Sequence, residues 1–96
     1  MRPSEALQLH RKAIRFIVAQ HHAKNARVFG SVLDGEDTEF SDLDLLVDIT
    51  EQTTLFDIAK IQNQLQKLLH VSVDVLTPKG LPERFREKIL READPV

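Results

Sequence analysis

The chain has 96 residues, 42% apolar and 29% charged, with five Phe, no Trp, Tyr or Cys, and a net charge of −2. That length accommodates one core and one domain, residues 1–96, with no second lobe. The balance excludes a disordered chain, the lack of cysteine excludes a disulfide framework or a thiolate metal site, and no run approaches the roughly 18 apolar residues of a bilayer span.

Residues 4–22 carry Leu7, Ile14, Ile17 and Val18 at helical spacing, with Ser4 as the expected N-cap, and predict one amphipathic helix. The start, Met1-Arg2-Pro3-Ser4, lacks the apolar stretch of a signal peptide, so a soluble, cytoplasmic protein is expected. Ala26–Phe29 reads as a short strand running into Gly30-Ser31, and Asp34-Gly35 marks a turn before an acidic loop. From Val28 to Ala59 there is no Lys or Arg, whereas nine Asp or Glu fall in that window. Such a segment repels a phosphate backbone and disfavours a nucleic-acid partner.

From Asp42 to Ile49 the parity separates two faces. Leu43, Leu45, Val47 and Ile49 lie on one, and Asp42, Asp44, Leu46 and Asp48 on the other. Asp48 lies about 13 Å along the strand from Asp44 and reads as a solvated rim residue. Thr54 and Asp57 form a capping-box pattern ahead of an apolar stripe, Leu55 to Leu69, whose outer face of Gln62, Gln64 and Gln66 is expected to be solvated. Val71, Val73 and Val75 predict one side of another strand, with Asp74 on the opposite side. After the breakers Pro78, Gly80 and Pro82, a last helix carries Phe85, Ile89 and Leu90, its alternating acids and bases predicting a surface laced by ion pairs. The order predicts a small α+β domain: one mixed sheet with helices packed on one face.

Three features carry chemistry. Asp42 and Asp44, two residues apart in a strand, point the same way about 6–7 Å from each other, and two such charges repel unless a cation neutralises them. Asp74 interrupts an apolar strand against β-propensity; it either lies on a solvated sheet face or joins the pair as a third carboxylate. Gly30-Ser31, a turn at a strand end, can offer backbone N–H groups to phosphate. Together they read as a metal-dependent nucleotide site. His10, His21, His22 and His70 show no ligand spacing, and a zinc site is not expected.

Gly30-Ser31, the ten-residue spacer and Ser41-Asp42-Leu43-Asp44-Leu45-Leu46-Val47 resemble the signature of the DNA polymerase β nucleotidyltransferase superfamily. The chain resembles its minimal nucleotidyltransferase branch, the antitoxin partners of HEPN-domain toxins. The resemblance implies a polymerase-β-like palm, ATP as donor and two Mg²⁺ ions. It also implies a HEPN-domain toxin as partner, with transfer of AMP to a tyrosine hydroxyl of that toxin. In that scheme Asp42 and Asp44 hold both metals, Asp74 binds the catalytic metal and helps deprotonate the acceptor, and Gly30 and Ser31 cradle the triphosphate. One departure stands out: Val32, Leu33 and Asp34 occupy positions where relatives commonly place an arginine. Arg27 is one candidate to compensate. A module that neutralises the toxin by binding alone is the alternative reading.

Overall fold

In the computed structural model, which describes residues 1–96, the buried run Leu43, Leu45, Leu46 and Val47 forms the middle of a four-stranded mixed sheet. It belongs to β2 (Leu43–Ile49). Strand β1 (Ala23–Phe29) pairs antiparallel on one side and β3 (Val73–Leu76) pairs parallel on the other. A short β4 (Asp94–Pro95) closes the far edge against β1, giving the order β3-β2-β1-β4. Parallel neighbours require a crossover, supplied here by the helix between β2 and β3.

The strand parity sorts the layers. Leu43, Leu45, Val47, Val28, Val73 and Val75 face the main core, which is completed by three helices. Helix α1 (Pro3–Leu9) supplies Ala6 and Leu7, α2 (Arg11–Gln20) supplies Ile14 and Val18, and α3 (Leu55–Leu69) supplies Ile61, Leu65 and Leu69. The expected α+β class and single mixed sheet are observed, with α1, α2 and α3 on one face. The final helix α4 (Glu83–Glu92) lies on the other, where Ile89 and Ala93 pack against a smaller cluster of Phe29, Leu46 and Leu81. No helix is long and apolar enough to cross a membrane.

Several local expectations are corrected. The predicted single helix over residues 4–22 is two helices broken at His10, whose backbone leaves the helical region (φ −125°, ψ 24°). Ser4 is not the N-cap. The cap position is Arg2, and the Ser4 N–H donates to the buried carboxylate of Asp37, 33 residues away, at 2.9 Å. The strand expected from Ala26 starts at Ala23, with an irregularity in pairing between Lys24 and Arg27 where Asn25 adopts φ 55°.

Two of the glutamines expected in solvent are half-buried and structural. Gln66 Oε1 accepts from the Val73 N–H and Gln62 Oε1 from the Val75 N–H, each at 3.0 Å. One helical turn apart, these side chains satisfy the outward donors of edge strand β3, which would otherwise template another strand. The Thr54 and Asp57 capping box is present, each residue's backbone N–H donating to the other's side chain at 2.9 and 3.2 Å. On α4 the expected ion pairs are replaced by a different bond set. Arg86 donates to the carbonyls of Pro78, Lys79 and Leu81, tying α4 to the short 3₁₀ turn Pro78–Gly80.

Candidate active site

Strand register sets Asp74 beside the pair, on an exposed sheet face. In the parallel pair β2 and β3, Asp44 lies directly beside Asp74, so their Cβ atoms rise from the same face on strands about 4.8 Å apart. Asp42 sits one residue before β2 begins, exposed, and continues that face. The ladder holds firm at this end because the Leu43 N–H donates to the Ser72 carbonyl at 2.8 Å. On the other side of Asp44 the register partner is Phe29, which delivers the chain straight into Gly30.

Gly30 is fitted to Asp44. A Cβ built on Gly30 would stand 2.2 Å from Asp44 Oδ2, and its backbone has φ +75°. Both the space and the dihedral demand glycine. The chain then coils through a tight turn in which the Asp34 N–H donates to the Gly30 carbonyl and the Glu36 N–H to the Ser31 carbonyl, at 3.1 and 2.9 Å. The backbone N–H groups of Ser31, Val32 and Leu33 donate to no acceptor in the protein. Three consecutive free donors beside a carboxylate cluster can offer hydrogen bonds to phosphate oxygens.

Asp44 bears the electrostatic cost of this arrangement. Asp44 is half-buried, and its carboxyl is pushed up to about 6, first by desolvation and then by the charges of Asp74 and Asp42. No hydrogen-bond donor offsets that cost, in contrast to the usual buried carboxylate. The side chains as they stand nevertheless do not close into a group of three able to hold a metal ion. They share a face and a field, and metal binding requires their carboxylates to turn toward a common point. The donor chemistry fits that role: three carboxylates supply hard oxygen ligands of the kind Mg²⁺ takes, and a cation would relieve the repulsion that raises Asp44.

Arg27, the candidate substitute cation, is committed elsewhere. Asp48, read from sequence as a solvated rim residue, is half-buried and bound on both oxygens, by Arg27 and by the Asn25 amide at 2.9 Å. Arg27 is thereby held at Asp48 and does not reach toward Gly30-Ser31 as a replacement for the absent arginine. The largest surface cavity, about 600 Å³, lies beyond the turn and is lined by Arg2, Arg11, Val32, Leu33 and Asp94 among others, with none of the three acids. None of the five main surface cavities includes any of the three acids. Periodicity could not have revealed the α4 cluster that borders this face, because Leu81, Ile89 and Ala93 meet Phe29 and Leu46 only in three dimensions.

Comparisons with known proteins bear on the family and the fold. A family model described as polymerase beta, nucleotidyltransferase, matches residues 11–96. A candidate protein adenylyltransferase of Methanocaldococcus jannaschii is 36% identical over 86 residues, covering 90% of this chain and 91% of that one. The protein adenylyltransferase MntA of Thermococcus cleftensis is 33% identical over 86 residues, covering 90% and 84%. Among solved structures, a candidate minimal nucleotidyltransferase superposes with a TM-score of 0.86 at 47% identity, covering 97% of this chain and 95% of its own. A toxin–antitoxin complex with AMP-PNP superposes with a TM-score of 0.73 at 15% identity, covering 88% and 69%, a likeness of fold.

Proposed function

Because the chain belongs to the polymerase β nucleotidyltransferase family, we propose that it is an ATP- and Mg²⁺-dependent protein adenylyltransferase serving as the antitoxin of a HEPN-domain toxin. The observation that carries this reading is the row Phe29, Asp44 and Asp74, with Asp42 ahead of it and Gly30 against Asp44. Relatives named as protein adenylyltransferases and a structural neighbour that is a toxin–antitoxin complex with AMP-PNP support the assignment.

Asp42, Asp44 and Asp74 would hold the divalent cations, which when bound neutralise phosphate charge and make the α-phosphorus more electrophilic. The free N–H groups of Ser31, Val32 and Leu33 would hold phosphate oxygens, fixing the nucleotide against Gly30. Asp74, exposed at the edge of the trio, would take the proton of the acceptor hydroxyl. The acceptor oxygen then bonds the α-phosphorus while the bond to the β-phosphate oxygen breaks, leaving AMP on the acceptor and releasing pyrophosphate. A protein acceptor completes this reading: the toxin would supply the tyrosine hydroxyl.

The test is incubation with the partner toxin and α-labelled ATP. Label should pass to the toxin, and Asp42→Ala or Asp44→Ala should abolish transfer. Unchanged labelling in both variants would remove the mechanism. Two observations favour a second reading, neutralisation by binding alone: no arginine follows Gly30-Ser31, and the three carboxylates do not yet converge. Protection from the toxin that survives Asp42→Ala, with the complex intact, would establish that reading instead.

A further inference from the structure

The chain spends an aromatic side chain where it has no fold-stabilising use. Phe40 is 95% exposed, more than any other large apolar residue, two positions before Asp42. Its backbone is held firmly. The Thr38 N–H donates to Ser41 Oγ, the Ser41 N–H to the Thr38 carbonyl and the Phe40 N–H to Thr38 Oγ1, at 2.9, 3.1 and 3.2 Å. One residue earlier, Asp37 is buried and pinned to α1 through the Ser4 N–H. A ring left in water on a rigid turn gains nothing for the fold, since burial is what makes an aromatic stabilising.

Position separates Phe40 from the other exposed aromatics. Phe16, Phe56 and Phe85 sit on α2, α3 and α4, and Phe56 lies in the first turn of the helix that follows the far end of β2. Phe40 alone enters β2 at the end where Asp42, Asp44, Asp74 and Gly30 gather. With no Trp or Tyr in the chain, any aromatic platform must be a phenylalanine. The three acids line none of the five main surface cavities, so a nucleotide held there by its phosphates would leave its base in water unless something stacks on it.

We propose that Phe40 is the nucleobase platform of this site, stacking on the purine of the nucleotide whose phosphates meet the acids and the Gly30-Ser31 turn. The inference rests on the nucleotidyltransferase reading and adds its specificity. Stacking reads surface rather than hydrogen-bond pattern, so it favours the larger purines over pyrimidines without distinguishing sharply between ATP and GTP.

Calorimetric titration of the intact protein with Mg²⁺ and either ATP, CTP or inorganic tripolyphosphate tests this directly. Phe40→Ala should weaken ATP binding about tenfold, narrow the ATP-to-CTP ratio, and leave tripolyphosphate affinity unchanged. Phe40→Trp should keep ATP affinity, with indole emission quenched by ATP and not by tripolyphosphate. Equal ATP affinity in wild type and Phe40→Ala overturns the platform. So does a parallel loss of tripolyphosphate binding, which would assign the residue a role in shaping the phosphate pocket. Loss of both ligands in Asp42→Ala alongside an indifferent Phe40→Ala would sink this inference while sparing the nucleotidyltransferase reading. A wild-type protein that binds neither ligand would sink both.

Discussion

Asp44 and the pair Asp37 and Asp57 are acids removed from full solvent, treated in opposite ways. Asp37 accepts the Ser4 N–H at the start of α1, and Asp57 accepts the Thr54 N–H at the start of α3. Those backbone donors hold both carboxyls below the usual carboxylate range, with His22 adding to the effect at Asp57. Asp44 has no such donor and two carboxylates for neighbours, and is pushed up to about 6. The first two acids serve the fold by closing helix ends. The third opposes it, as the proposed catalytic role would require.

The comparison is broken most decisively at the level of activity. Asp44→Asn should reduce labelling of the partner by about a thousandfold or more, the scale of losing several kcal/mol of transition-state charge stabilisation. Asp57→Ala should leave transfer at the wild-type rate. Equal losses in a labelling assay would show that the two kinds of acid are not functionally distinct.

Next in size is Gly30→Ala. The added methyl meets Asp44 Oδ2 at 2.2 Å and forces a positive φ on an L-residue, so stability should fall by about 2 kcal/mol, read by urea unfolding. Combining it with Asp44→Ala, which vacates the space, should recover part of that loss but none of the dihedral strain.

The pH dependence sharpens the contrast through its sign. Asp44 has a folded-state pKa above its unfolded value, so its contribution is present below about pH 4 and lost as pH rises through about 6. Asp44→Asn should therefore stabilise the protein at pH 8 by about 1–2 kcal/mol, discounted for a half-exposed group, and by nothing below about pH 4. Mg²⁺ should stabilise the wild type above pH 6 more than this variant. Asp37 and Asp57 run the other way: their folded-state pKa values are depressed, so their contribution exists at neutral pH and disappears as acid protonates them. A thermal-melt series across pH in which Asp44→Asn gained nothing at high pH would remove the strain argument. The smallest effect is expected for Asp37→Ala, a cost of about 1 kcal/mol at pH 7 from a lost helix-end acceptor.

The legibility of these residues from sequence follows the range of the interactions. The Thr54 and Asp57 box was readable because a capping pair spans three residues, and the faces of β2 because strand alternation is local. Asp37 was unreadable as a helix cap, since its partner Ser4 lies 33 positions back across a loop. Gln62 and Gln66 looked like a solvated stripe for the same reason: helical periodicity reports which side they occupy, and only packing shows the edge of β3 lying there. Asp48 was read as solvated because its partners, the Arg27 guanidinium and the Asn25 amide, reside on a different strand.

The amino-acid order by itself settled the alternation that puts Asp42 and Asp44 on one face, the glycine turn ten residues ahead of them, and the helix–strand order of a small mixed sheet. Folding in three dimensions decided that Asp74 stands beside Asp44, that Gly30 presses on its carboxylate, and that α4 borders the acid face. The reason is physical: side-chain direction repeats with a period of two or 3.6 residues and can be counted, whereas strand register is fixed by hydrogen bonds between segments distant in the chain.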